Sequence, residues 1–197
     1  MLAWLVIREP IMIARVILFA TVLGVVARAA ADEPCKSGPQ PSQRPGPYAA
    51  LVSVGPQRGQ QHCYICEAAD RPVVIVFARS LGDPLGKLMA KIDKSLADHK
   101  AAEMRSWVTF LAADQTALDP KVVQWSQKHA IRNIPLGIFE DTVGPPAYLL
   151  ARDADVTVLL AVKQRVVANF AFRAGELNDA GIDAIVKAVP MIVGEKK

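Results

Sequence analysis

Residues 72–84 read Pro-Val-Val-Ile-Val-Phe-Ala-Arg-Ser-Leu-Gly-Asp-Pro. The six apolar residues after Pro72 are rich in β-branched side chains, as expected of a strand covered on both faces. Asp83 and Pro84 then give a helix start, with the acid as cap and proline in the first turn. Leu85, Leu88, Met89, Ile92 and Leu96 follow at spacings of three and four, which builds one apolar helix face. Outward from this unit the same grammar repeats. Ser106 to Ala112 reads as a second buried strand, and Asp119-Pro120 as the opening of a second helix carrying Val122, Trp125 and Ala130. Ile134 to Phe139 is a shorter strand, punctuated by Gly144-Pro145-Pro146. Val156 to Val162 and Val166 to Phe172 form a hairpin around Lys163-Gln164-Arg165. Asn178 to Val189 reads as a closing helix ended by Pro190, and Tyr48 to Val54 as a short strand on the N-terminal side. No internal repeat is present. Parallel crossovers followed by an antiparallel hairpin predict an α/β protein with a mixed sheet and helices on both faces.

The chain has 197 residues, enough for one ordinary domain. Its apolar share of 52% is unevenly spread, because 24 of the first 31 residues belong to the hydrophobic set. The remainder is about 47% apolar, an ordinary globular value that excludes a disordered, collagenous or polytopic membrane protein. Residues 1–31 read as a secretory signal: Arg8 and Arg15 are basic, Val16 to Val26 are mostly apolar, and Ala29-Ala30-Ala31 offers a small-residue cleavage site. Arg15 interrupts the apolar run well short of the roughly 20 residues a membrane span needs. Asp32-Glu33-Pro34 before Cys35 makes a poor lipobox. The expectation is therefore an exported protein, periplasmic or secreted, with no stable membrane insertion after cleavage. The net charge is +4, of which the first 31 residues carry +2. No basic stripe is dense enough to predict nucleic-acid binding. Residues 32–47 hold five of the 14 prolines and few apolar side chains, which predicts an extended arm without a core of its own. Residues 48–197 form the folded domain.

Export places three cysteines where disulfides persist. Two of them stand in His62-Cys63-Tyr64-Ile65-Cys66. Two intervening residues bring the sulfurs within bonding reach in a very short ring, which is often more reducible than a long-loop bridge and gains little from loop closure. This favours a redox pair. His62, when protonated, would stabilise the Cys63 thiolate, and Tyr64 and Ile65 would flank a docked partner. A permanently oxidised structural bridge is the alternative. A zinc or copper(I) site is a third reading, with Cys63, Cys66 and His62 as the soft ligands and Cys35 as an optional fourth. A c-type haem is excluded because Glu67 stands where that motif needs histidine. His129 reads as a half-buried, hydrogen-bonded side chain and His99 as a helix end. Trp107 and Trp125 read as core. Cys35 is the odd cysteine, able to resolve the pair, cross-link a dimer or stay free. No nucleophile elbow, Walker loop, zincin or EF-hand pattern occurs.

The element order, together with the run Asp153-Ala-Asp-Val-Thr-Val-Leu-Leu-Ala-Val-Lys-Gln-Arg-Val-Val-Ala-Asn-Phe170, resembles the thioredoxin/redoxin superfamily over about Tyr48 to Val193. The resemblance implies a thioredoxin-like fold, with Asn133 to Ala154 as a redoxin-type insertion before the C-terminal hairpin. Such proteins carry their cysteines just after the first central strand and a cis-proline before the hairpin strand. Here those places read Ala78-Arg79-Ser80-Leu81-Gly82-Asp83-Pro84, without cysteine, and Ala154-Asp155-Val156-Thr157, without proline. No catalytic residue carries over at either place. The pair at Cys63 and Cys66 precedes the central strand, so it is expected near the opposite end of the sheet. The resemblance implies thiol-disulfide exchange with protein thiols and disulfides, needing no diffusible cofactor. Cys63 would attack and Cys66 would resolve. The rival is a non-catalytic binding or scaffold domain on the same fold. Oligomeric state has no signature in the sequence.

Overall fold

A computed structural model describes residues 33–194. The signal-like segment 1–31 lies outside them. Strands β1 (Ala50–Val54), β2 (Gln61–His62), β3 (Val73–Ala78), β4 (Arg105–Leu111), β5 (Leu136–Phe139), β6 (Ala154–Val162) and β7 (Arg165–Arg173) form one seven-stranded sheet in the order β2-β1-β5-β4-β3-β6-β7. The helices are α1 (Tyr64–Ala68), α2 (Asp83–Asp98), α3 (Gln115–Lys128), α4 (Asp179–Ala188) and α5 (Pro190–Val193). Strand β3 pairs in parallel with β4 and antiparallel with β6, and all six of its residues are buried. The hairpin between β6 and β7 turns on Lys163 and Gln164, both at positive φ (51° and 57°). That is the backbone a two-residue turn needs to match strand twist. The sheet is mixed and the architecture is the α/β arrangement expected from the sequence.

Alternation along the strands divides the core in two. Val74, Val76 and Ala78 face a layer built by α2, α3, α4 and α5, with Leu88, Met89, Ile92, Trp125 and Ile185 at its centre. Val73, Ile75 and Phe77 face the other way, onto Trp107, Tyr148, Leu150 and Leu159. Helices lie on both faces, but very unequally. Among the described residues, the second face receives only α1 and a 3₁₀ turn at Pro146–Tyr148.

The proline-rich segment covers much of the rest. It has no regular element before Ala50, as its composition requires, yet it is fastened along the sheet. The Ser37 hydroxyl accepts from Thr157 Oγ1 at 2.7 Å and from the Ala151 amide at 3.0 Å. Asn169 Nδ2 donates to the carbonyls of Ser37 and Pro39, each at 2.8 Å. Further on, Ser42 and Gln43 exchange backbone hydrogen bonds with Val166 of β7, which caps part of that exposed edge. Tyr148 donates its hydroxyl to the Gly46 carbonyl. Tyr48 then enters an aromatic cluster, with ring centroids 5.3 Å from Phe77 and 5.2 Å from Tyr148.

Three helix boundaries differ from the sequence expectation. Gly82, not Asp83, caps α2; Asp83 is the first helical residue, and its carboxylate meets Lys128 at 2.7 Å and His129 at 3.3 Å. Helix α3 starts four residues before Asp119, because Asp114 caps it by accepting from the Ala117 amide, and Pro120 lies inside the helix. Pro120 is the sixth residue of the helix, past the first turn where proline is ordinarily placed, so it does not mark the start. Pro190 ends α4 but opens α5, since a proline at a first helical position gives up an amide that would be unpaired anyway.

Asn169→Ala should release the two carbonyls that hold the N-terminal segment. We expect a loss of about 1–2 kcal/mol in urea unfolding and faster proteolysis within residues 40–44. Unchanged stability and cleavage would mean the segment is held by its apolar contacts alone.

Candidate functional site

The cysteine pair lies ahead of β3, on a turn the sequence analysis did not assign to a helix. Cys63 caps α1, and Cys66 is the third residue of that helix. The two are joined in a disulfide with Cα atoms 5.3 Å apart. Behind α1, the chain is tied to the hairpin turn, because Lys163 donates its amide to the Asp70 carbonyl and Gln164 Nε2 donates to Asp70 Oδ1. Cys66 shares a cleft of about 190 Å³ with Pro45, Pro47, Ile65, Ala69 and Gln164. The pair therefore sits where β3 enters the sheet and β6 leaves it. Ser80 lies beyond the other end of β3, roughly 20 Å away along the strand. The expectation from topology is met.

Around α1 the charges are organised by Glu67. Its carboxylate accepts from Arg105 at 2.7 Å and from His62 Nε2 at 3.0 Å. First the Arg105 hydrogen bond and then the His62 hydrogen bond hold the Glu67 carboxyl below its ordinary range. The His62 ring packs on Tyr64, 4.4 Å between centroids, and Tyr64 stacks on Trp107 at 5.8 Å. Burial pushes the Tyr64 hydroxyl up to about 12, so it stays protonated and donates to Gln57. A second cleft, of about 270 Å³, opens on this Tyr64 and Glu67 flank, against Met104, Arg105 and Trp107. His62 is thus engaged by an acid as well as being the chain neighbour of Cys63. The sequence carried no signal for this, because Glu67 and Arg105 are 38 residues apart.

Cys35 is not part of this constellation. Its thiol feels the charges of Asp153, Arg173 and Glu176, which lie at or just beyond the end of the β6 and β7 hairpin opposite Gln164. That hairpin separates it from Cys66 by roughly 25 Å. It cannot resolve the pair within one chain, and it cannot join Cys63, Cys66 and His62 around one metal ion. Burial, and next the Asp153 carboxylate, push its thiol up. Among the described residues no group of three or more His, Cys, Asp or Glu side chains is arranged to hold a metal.

The far end of β3, where the sequence resemblance places cysteines, carries polar ties instead. Ser80 Oγ donates to Asp155 Oδ2 at 2.7 Å. The Arg79 guanidinium donates to the carbonyls of Ala154, Ala151 and Thr142, tying the insertion to the end of β3. No cis peptide bond occurs among the described residues. His129, the residue that follows α3, is half-buried against Trp125 and faces Asp83, and His99 Nδ1 bonds the Ser95 carbonyl at the end of α2. Trp107 and Trp125 are core residues.

Because the native Glu67 pKa is depressed, the stability it contributes is present above about pH 4.5 and is lost as pH falls through the lowered native value. Glu67→Gln should therefore narrow the acid-side slope of stability against pH. The carboxylate side chain is 44% exposed, so the difference at pH 7 is at most about 0.5 kcal/mol and should vanish once pH lies below the lowered native value. Urea midpoints of both proteins across that range check this.

No family model and no curated protein matches the sequence. Solved structures do match the fold. One is from Chlorobium tepidum and is described as a DsbE thiol:disulfide interchange protein; it has a TM-score of 0.60 at 13% identity over 79% of this chain and 99% of its own. A secreted thiol-disulfide isomerase from Corynebacterium glutamicum gives 0.56 at 14% identity, over 78% and 86% of the two chains. The peroxidoxin BcpB from Mycobacterium tuberculosis gives 0.53 at 14%, over 78% and 97%. Identities this low carry the fold and nothing finer. The chain has the thioredoxin-like fold.

Proposed function

We propose that the protein is an extracytoplasmic thiol-disulfide exchange protein whose redox pair is Cys63 and Cys66, acting on protein thiols and disulfides. One observation carries this reading: the pair is joined in a disulfide on a single helical turn, with a sulfur-bearing residue open to solvent at a sheet end. A bridge that served only to pin two elements would be expected to link distant chain segments, since closing a three-residue separation removes little entropy from the unfolded chain. The fold neighbours named for disulfide interchange support the same reading, as does the signal-like segment 1–31. No described helix is long and apolar enough to cross a membrane.

The exchange itself needs only sulfur chemistry. A thiolate attacks one sulfur of a disulfide along the S–S axis and expels the other. Glu67, through His62, fixes an imidazole next to Cys63 in the chain, where its protonated form would favour a thiolate over a thiol.

In a Cys35→Ser chain, the midpoint potential of the pair should lie between about −270 and −120 mV, the range of thiol-disulfide oxidoreductases. A midpoint below roughly −300 mV would identify a structural bridge and would overturn the proposal in favour of a scaffold domain. Insulin reduction should be abolished by Cys63→Ser. N-terminal sequencing of exported material should begin at Asp32; an N-terminus at Met1 would show that the segment is retained.

A further inference from the structure

We infer that Cys66, not Cys63, is the sulfur that exchanges with substrate, and that the cleft beside it, walled by Pro45 and Pro47, seats the cysteine-bearing segment. This rests on the exchange reading above and reverses the order of attack expected from Cys63 preceding its partner and adjoining His62.

Disulfide exchange requires a nucleophile to reach one sulfur in line with the bond. The two cysteines are unequal in this respect. Cys66 is exposed, whereas Cys63 is half-buried. Cys63 caps α1 and is flanked in the chain by His62 and Tyr64, whose rings pack against each other. Cys66 opens onto the 190 Å³ cleft, and Cys63 does not line it. The feature that ordinarily selects the first cysteine of such a pair is the N-terminus of a long helix. Here α1 has only five residues and gives Cys63 no such advantage.

The cleft also has the form of a peptide seat. Pro45 and Pro47 form a wall with fixed φ and no amide hydrogen to compete for the incoming chain. Ile65 adds an apolar side chain, and Gln164 adds an amide that can both donate and accept. The prolines are held there by bonds on either side, from Tyr148 to Gly46 and between Ser42, Gln43 and Val166. The volume admits a cysteine side chain with a peptide unit next to it, which selects an extended, accessible segment.

The step balances with the disulfide the structure holds as oxidant. A substrate thiolate attacks Cys66 Sγ, the Cys63–Cys66 bond breaks, and Cys63 leaves as a thiolate beside His62. The second substrate thiolate attacks its partner's sulfur in the mixed disulfide, forming the substrate disulfide and releasing the Cys66 thiolate. Two electrons pass to the protein, and the two substrate thiol protons go to solvent or to the two cysteines. The reverse sequence reduces a substrate disulfide.

The test uses full-length Cys35→Ser protein as parent. Reduced Cys63→Ser and Cys66→Ser variants of it are mixed with the disulfide dimer of a short cysteine peptide, and mixed-disulfide formation is followed by mass spectrometry. We expect the chain retaining Cys66 to react about tenfold faster or more than the chain retaining Cys63. As a check that does not depend on the variants' folding, the oxidised parent is mixed with the reduced peptide and acid-quenched. Peptide mapping should find the adduct on Cys66. Equal rates, a faster Cys63, or an adduct on Cys63 would overturn the assignment while insulin reduction by the parent still upheld exchange. No adduct together with an inactive parent would overturn both.

Discussion

Strand β3 is the constraint on which the rest depends. It is paired on both edges and its six residues are buried, so both faces of the sheet must be covered. The crossovers β3-α2-β4 and β4-α3-β5 run in the same direction across the sheet and place their helices on one face. The C-terminal helices join them. That leaves Val73, Ile75 and Phe77 to be covered by something other than a long helix. The aromatic cluster of Tyr48, Trp107 and Tyr148 does this, roofed by the proline-rich segment.

The functional arrangement follows from that roof. The segment runs along β7 from Asn169 to Val166 before it turns inward at Tyr48. On the way it passes the hairpin turn, where α1 presents Cys66. A stretch too poor in apolar residues to form a core of its own thus becomes the wall of a cleft, because the backbone carbonyls it cannot satisfy internally are taken by Asn169 and Tyr148. Covering the sheet and shaping the cysteine cleft are one structural fact.

At the other end of β3, the place that usually holds the cysteines is occupied by polar ties. Ser80 and Asp155 satisfy each other, and Arg79 is spent on three carbonyls of the insertion and the β6 entry. The segment between β5 and β6 is thus held down by the residue that follows β3. One end of the strand is fastened by polar ties and the other lies beside the cysteine pair.

The sequence by itself determined the order of the longer strands and helices (but not β2 or α1), the hairpin at Lys163 and Gln164, and the placement of the cysteine pair ahead of β3. These are local matters of periodicity, turn chemistry and residue counting, and each is written in a window of a few residues. Helix starts were less legible, because Asp114 and Asp119 carry the same capping signal and only the geometry of the preceding turn separates them. Tertiary structure alone decided that Glu67 would meet Arg105, that Cys35 would lie a full hairpin away from Cys66, and that Cys66 would be the open sulfur. Those outcomes depend on which surfaces the sheet brings together across 30 to 130 residues of chain, and no local pattern encodes them.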